Sequence, residues 1–347
     1  MNDKKHKIAF FETADDEREQ LRASIDKAAE FAGATVSFTA EKLNAKTVEL
    51  AKDADIVCVF INSNINKDII DKLPSLKLIA TRSTGFDHID CAYAAAKGIK
   101  VANMPAYGSR TVAEYTFALI LGMSRKVLAA SHQIKNGQGF DISNFRGFDL
   151  RGKTIGIVGT GRIGLNVAQI AKGFDMSILA YDVTKNDEQA VKIGFSYCPL
   201  EELLGKSDII TLHVPYNDKT KHLINKDNVR KVKPGALLVN TARGEVCDTE
   251  AILTGIQEKI LKGVALDVLE GERSLKEESQ FFVEQNTIAL DATQIKTLLE
   301  DHMLINMPEV FITPHIAFFT EEAQREIVTT AVANIAAFLR TREVEPR

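Results

Sequence analysis

The sequence predicts an α/β protein made of two doubly wound parallel-sheet domains. Three observations carry the prediction. Short apolar runs alternate with helical patterns, which is the rhythm of βαβ units. That rhythm occurs as two series, parted by a glycine-rich irregular stretch at 136–153. Only the second series holds a glycine-rich phosphate loop. Length agrees, since 347 residues are many for one core and about two domains are expected.

In the first series KIAFF (7–11), ADIVCVF (54–60) and LKLIAT (76–81) are continuous apolar runs, as strands covered on both faces are. The segments 16–32 and 65–72 pattern as helices. The stretch 111–131, TVAEYTFALILGMSRKVLAAS, predicts one long helix that is apolar nearly all round. Such a helix must be buried, between domains or against a partner subunit. Residues 136–153 form a connector.

The second series runs TIGIVG (154–159), SILAYD (177–182), DIITLHV (208–214), ALLVNTA (236–242), GVALDV (263–268) and VFIT (310–313). The stretch 273–307, rich in Glu, Gln and Thr, is a surface excursion with weak helical patterning at 291–305. A final helix at 320–340 is placed to return to the first domain.

Composition narrows the function classes. The chain is 45% hydrophobic and 26% charged, with a net charge of −4. That balance gives no electrostatic case for nucleic acid or an anionic membrane. Cys58, Cys91, Cys198 and Cys247 are scattered without metal-ligand spacing, so no metal is expected. Cys58 and Cys91 fit buried, reduced thiols and a cytoplasmic setting. The N-terminus lacks the apolar core of a signal peptide, and no apolar run reaches the ~18 residues of a membrane span.

TIGIVGTGRIG is a strand running into Gly159-x-Gly161-x-x-Gly164 and then a helix. Gly159 permits the tight turn, Gly161 lets backbone approach a pyrophosphate, and Gly164 lets helix and strand pack closely. The helix start presents N–H groups from Arg162 and Ile163 to the phosphates. Asp182 ends the next strand, 18 positions past Gly164, where it can accept from ribose hydroxyls and repel a 2′-phosphate. NAD is therefore expected over NADP. The competing reading is a glycine-rich turn with no ligand.

Three later strand ends carry chemistry. LLVNTARGEV puts Arg243 at the carboxyl end of a strand, where ligands bind in such sheets. A guanidinium there suits a bidentate grip on a carboxylate, or else an interdomain ion pair. GVALDVLEGE brings Asp267 and then Glu272, and VFITPHIAFF brings His315. An acid beside a histidine fixes its tautomer and favours the protonated ring, as a general acid requires. Taken singly, Glu272 reads as a solvated loop acid and His315 as a satisfied core histidine in an apolar stretch. Their coincidence on consecutive strand ends favours catalysis.

These motifs resemble the D-isomer-specific 2-hydroxyacid dehydrogenases, most of all the D-lactate dehydrogenase group. The likeness covers nearly the whole chain: TRSTGFDHID (81–90), NMPAYGSRTVAE (103–114), VGTGRIG, LHVP (212–215), NTARG (240–244), LDVLEGE (266–272) and TPHIAF (313–318). The resemblance implies a flavodoxin-like substrate domain and a Rossmann NAD domain, with the active site in the cleft. It divides the chain into 1–106 with 317–347, the substrate domain, and 107–316, the NAD domain. The helix at 111–131 is then part of a homodimer interface.

The resemblance also makes Arg243 the substrate-binding arginine, His315 the acid/base and Glu272 its partner. Thr84 and Gly85 match backbone positions that hold the substrate carboxylate. His213, Val214, Pro215, Thr220, Thr241, Ala242 and Asp267 match NAD-contacting positions, although a strand-end Asp such as Asp267 also suits a turn cap. Tyr107 and Phe318 or Phe319 wall the pocket for the substrate side chain. The implied activity is NAD-dependent reduction of a small 2-oxo acid to the D-2-hydroxy acid, with pyruvate and D-lactate the first choice. Phenylpyruvate, branched 2-oxo acids, glyoxylate and phosphite stay open as substrates, and so does an NAD-sensing scaffold or corepressor.

Overall fold

The computed structural model describes residues 6–104, 108–272, 274–275 and 291–343. The chain divides into two compact units, Met1–Gly108 with Phe319–Arg347, and Ser109–Phe318.

The first unit holds a five-stranded parallel sheet of β1 (Lys7–Phe10), β2 (Thr35–Phe38), β3 (Ile56–Val59), β4 (Leu78–Thr81) and β5 (Lys100–Ala102). The strand order is β2-β1-β3-β4-β5. The central strands β3 and β4 are buried at every position, which is why they read as unbroken apolar runs. β2 and β5 lie at the sheet edges. The sequence reading missed both, because TVSF alternates in burial and KVA is too short to show a period. The helix expected over 16–32 ends at Ile25, and a 3-10 turn, Ala29–Phe31, follows. The C-terminal helix, Glu321–Thr341, packs against the Asp15–Ile25 helix and β4, burying Ile327, Val328, Ala331, Ile335 and Phe338 at helical spacing.

The second unit has a seven-stranded parallel sheet: β6 (Thr154–Val158), β7 (Ser177–Tyr181), β8 (Ser196–Tyr197), β9 (Ile209–Leu212), β10 (Ala236–Asn240), β11 (Leu261–Leu266) and β12 (Val310–Ile312). The order is β12-β11-β10-β9-β6-β7-β8, so the chain winds outward from β6 and then reverses to β9. The β6/β9 boundary is the switch point, and the carboxyl edge there is the ligand-binding edge of such sheets. The two-residue β8 left no apolar run to read.

The long helix expected at 111–131 is two helices, Ser109–Ser124 and Val127–Lys135. Lys126 breaks it, with φ of 52° in the left-handed region. The first helix buries Ala113, Phe117, Leu119 and Ile120, while the second buries nothing. Some of the apolar residues that argued for a buried helix are therefore exposed, Val127 and Leu128 among them, and so is Ile134 just beyond the expected end. The stretch 136–153, expected to connect the two series, is irregular but lies inside the second unit, and the division between units falls earlier, at Gly108.

In the excursion, a helix forms at Ala292–Ile305, started by a capping box between Asp291 and Gln294. Residue 273 and residues 276–290 of the excursion, like Tyr107, lie outside the described residues. Among the described residues no helix is long and apolar enough to cross a membrane. All four cysteines are free, with Cys58 and Cys247 buried. Cys91, expected to be buried, is half-exposed at the start of the Cys91–Ala96 helix.

Candidate active site

The phosphate loop has the geometry its glycines demand. Gly159 adopts φ of 96°, and a Cβ there would lie 2.6 Å from the His213 carbonyl oxygen. A Cβ at Gly164 would overlap the Gly159 carbonyl oxygen, so helix and loop touch backbone to backbone. At Gly161 a Cβ would meet nothing within 4 Å, which leaves open space where a phosphate would approach. Gly161 is the N-cap of the Arg162–Gly173 helix and supplies no side-chain cap. The first-turn N–H groups, Ile163 among them, are thus arranged as in an anion-binding helix start.

Asp182 closes this loop from the end of β7. Its Oδ2 accepts from Thr160 N at 2.6 Å and Thr160 Oγ1 at 3.0 Å, and its Oδ1 accepts from Thr184 N at 2.9 Å. Thr160 Oγ1 also meets the Tyr197 hydroxyl at 2.8 Å. Thr160 and Tyr197 escaped the sequence reading because their partners lie 22 and 37 positions away. A carboxylate oriented in this way still has lone pairs for ribose hydroxyls.

His213 follows β9. Its Nε2 is 2.9 Å from Thr211 Oγ1, its Nδ1 is buried without a partner, and burial pushes the ring down to about 3. The imidazole is neutral at physiological pH and cannot serve as a proton donor. Val214 is half-buried and Pro215 exposed, and the turn beyond is closed by Thr220 Oγ1 donating to the Pro215 carbonyl at 2.6 Å. An open cradle at Gly161, an uncapped helix start and a carboxylate at the next strand end fit NAD.

On the other side of the switch point, β10, β11 and β12 deliver the proposed chemistry. Buried Asn240 folds the end of β10: its Oδ1 accepts from Ala242 N at 2.9 Å and its Nδ2 donates to the Arg243 carbonyl at 2.8 Å. Thr241 Oγ1 meets Thr116 Oγ1 at 3.1 Å. Arg243 Nη1 donates to the Ala242 carbonyl at 2.8 Å, which orients the guanidinium. A Cβ at Gly244 would overlap the Leu269–Glu270 peptide, so only glycine lets the Arg243 loop press against the loop bearing Glu272.

His315 Nδ1 lies 3.0 and 3.1 Å from the two Glu272 carboxylate oxygens. This pairing fixes the tautomer and leaves Nε2 as the nitrogen that can face a substrate. The His315 backbone is left-handed, with φ of 57°. Asp267 holds it there: Oδ1 accepts from Thr313 Oγ1 at 2.6 Å and Ile316 N at 3.0 Å, and Oδ2 accepts from Ala317 N at 2.8 Å. The fully buried Asp267 is thus the clasp of the His315 loop, and its oxygens are committed to that loop.

The neighbouring acid, Glu270, faces elsewhere, taking His222 Nε2 at 2.6 Å and Thr249 Oγ1 at 3.0 Å. Contrary to the apolar appearance of its segment, the His315 stretch is largely open. Ala317 is buried and Phe318 half-buried with its ring edge-on to His315, but Ile316 is 38% and Phe319 59% exposed.

Thr84, Gly85 and Phe319 belong to the first unit. After β4, Asn103 Nδ2 donates to the Thr84 carbonyl at 2.8 Å and Ser83 Oγ to the Gly85 carbonyl at 2.6 Å. Just before them Arg82 is fully buried, donating from Nε to Glu17 at 2.8 Å and from Nη2 to the carbonyls of Phe11 and Glu12 at 3.0 and 2.8 Å.

Fold and loop together define a dinucleotide-binding α/β protein with a second parallel-sheet domain. The model of the D-isomer specific 2-hydroxyacid dehydrogenase NAD-binding domain matches residues 117–317. The chain is 37% identical over 302 residues to a D-lactate dehydrogenase of Curvularia clavata, covering 86% of this chain and 83% of that one. It is 37% identical over 293 residues to a glyoxylate reductase of Thermofilum pendens, covering 83% and 79%. The solved structure of Aquifex aeolicus D-lactate dehydrogenase complexed with NAD and lactic acid superposes with a TM-score of 0.84 at 33% identity, covering 96% of this chain and 95% of that one.

The chain belongs to the D-isomer-specific 2-hydroxyacid dehydrogenase family. It is an oxidoreductase that uses NAD.

Proposed function

We propose that this enzyme reduces pyruvate to D-lactate, with His315 as the proton donor, Glu272 as its partner and Arg243 as the carboxylate grip. The observation that carries the reading is the His315–Glu272 pair at 3.0 and 3.1 Å on the NAD-binding edge, beside the Arg243 loop. Arg243 binds the substrate carboxylate and polarises the 2-oxo group, and the family resemblance gives the N–H groups of Thr84 and Gly85 a share in holding that carboxylate. Protonated His315 gives its Nε2 proton to the substrate oxygen, and Glu272 stabilises the imidazolium until then. Bound NADH supplies the hydride. The cofactor is held by the Gly159–Gly164 loop, Asp182, Val214, Pro215, Thr220, Thr241 and Ala242, with the first unit (1–106 and 317–347 in the sequence division) acting as the substrate domain. The family resemblance assigns Phe318 and Phe319 to the neighbourhood of the substrate side chain, where aromatic rings favour small or apolar groups.

The deciding measurement is NADH oxidation with a panel of 2-oxo acids and a chiral assay of the product. Highest kcat/KM with pyruvate and a D product are expected. A preference for glyoxylate, the substrate named for one relative, or for phenylpyruvate or a branched acid, would replace pyruvate. An L product would sink the reading.

We also propose a homodimer formed through the NAD-binding unit. Val127, Leu128, Ile134, Phe140 and Ile142 are exposed there, more apolar surface in one segment than a lone chain usually shows to water. Light scattering at the mass of a single chain would rule it out. The four free thiols suit a reducing compartment such as the cytoplasm.

A further inference from the structure

Asp301 lies on the Ala292–Ile305 helix with its side chain fully buried, and the reaction outlined above makes no use of it. Its Oδ2 accepts one hydrogen bond, from Gly271 N at 2.9 Å. Its Oδ1 is buried with no hydrogen-bond partner. A Cβ at Gly271 would overlap Oδ2, so the bare glycine leaves room for the carboxylate beside its N–H. A buried carboxyl with one oxygen unsatisfied costs stability. What it does achieve is local: Gly271 is joined by one peptide bond to Glu272, the acid paired with His315.

We propose that Asp301 is a positioning residue, which by gripping the Gly271 N–H fixes the peptide from which Glu272 reaches His315. The Ala292–Ile305 helix thereby becomes a support for the proton donor. The inference rests on the assignment of His315 as proton donor and Glu272 as its partner.

The charged groups around Asp301 are Glu270 on the same loop, Glu300 and His302 on its own helix, and Glu250 on the packed Thr249–Gln257 helix, which is itself tied to Lys226 and Lys296. Burial pushes the Asp301 carboxyl up to about 7 against the pull of the Gly271 N–H, and Glu270 and Glu300 add to the rise. Near neutral pH the grip on Gly271 therefore passes from a neutral to a charge-assisted hydrogen bond.

The test uses D301A and D301N, each in the wild-type and E272Q backgrounds, with pyruvate reduction followed across pH and NADH affinity measured by fluorescence titration. D301A should lower kcat about tenfold and bring the upper pH limit of reduction down, while NADH affinity stays within about twofold. D301N keeps an oxygen for Gly271 N–H and should retain most of kcat, but lose the inflection near pH 7. In the E272Q background, D301A should cause no further loss, because the positioned group is gone. An equal D301A loss in both backgrounds, or a wild-type kcat and pH profile in D301A, overturns the proposal. Should D301A not fold, a D301N profile superimposable on wild type overturns it. If the wild-type enzyme turns over no 2-oxo acid, the functional reading fails first and the proposal falls with it.

Discussion

The carboxyl edges of the two sheets solve the same problem with different materials. In the seven-stranded sheet the strand ends present side chains, Arg243, Glu272 and His315, and buried side chains behind them hold the loops in place: Asn240, which both donates and accepts, and the acceptors Asp267 and Asp301. In the five-stranded sheet the loop after β4 offers backbone at Thr84 and Gly85, and the supports are a buried cation, Arg82, with the side chains of Ser83 and Asn103. On the proposed function, one edge holds and moves a proton, while the other receives a carboxylate. The difference teaches that reactive side chains need rigid carbonyl and carboxylate partners behind them, whereas a backbone cradle needs its carbonyls tied down.

Four substitutions probe that contrast. H315Q should remove the proton donor and lower carbonyl reduction by about 10²–10⁴-fold, leaving NADH binding nearly intact by fluorescence titration. Near-normal turnover would end the assignment of chemistry to the second unit's edge. R243Q should cost about a thousandfold in kcat/KM for a 2-oxo acid, since the carboxylate then meets no bidentate cation. A loss confined to NADH affinity would move Arg243 to the cofactor.

R82M attacks the other edge. It leaves Glu17 and two buried carbonyls without their donor and should destabilise the protein by about 3–5 kcal/mol in urea unfolding. A loss below about 0.5 kcal/mol would show that the first unit's loop is held by hydroxyls alone.

The smallest effect comes from D301N, through pH. The folded-state value of Asp301, about 7, lies above its unfolded value. The folded protein thus holds the proton more tightly, and stability from this group is complete in acid and lost as pH rises towards about 7. Asparagine cannot ionise, so the variant should gain on wild type as pH rises from about 4 to about 7, by about 1–3 kcal/mol at the upper end, and no further above it. A stability difference that does not change with pH would contradict the titration.

The central strands were legible because burial on both faces writes continuous apolar runs, as in IVCV of β3 and ALLVN of β10. The phosphate loop was legible because its glycines answer to local geometry. Edge strands β2, β5 and β8 were not, being short or half-exposed. The break at Lys126 was missed because no glycine or proline marks it. The supports were the least visible. Asp267 grips a loop 49 and 50 positions away, and Asp301 one 30 positions away, and no local pattern announces such pairings. Asp267 was picked out for its place at a strand end, but its observed partners lie in the His315 loop.

Asp267 reaches the His315 loop from inside the unit, while Ile316 and Phe319 stand on the open side of the same loop. The anchored backbone and the exposed side chains thus lie within a few residues of each other, held from opposite sides of one loop. Laboratory evolution towards bulkier 2-oxo acids can start at the exposed Ile316 and Phe319, provided Asp267 and the Phe318 ring on His315 are left alone. On the proposed reading, substrate range is set by exposed side chains on a loop whose histidine is anchored from behind, and libraries built on that division should yield many active clones.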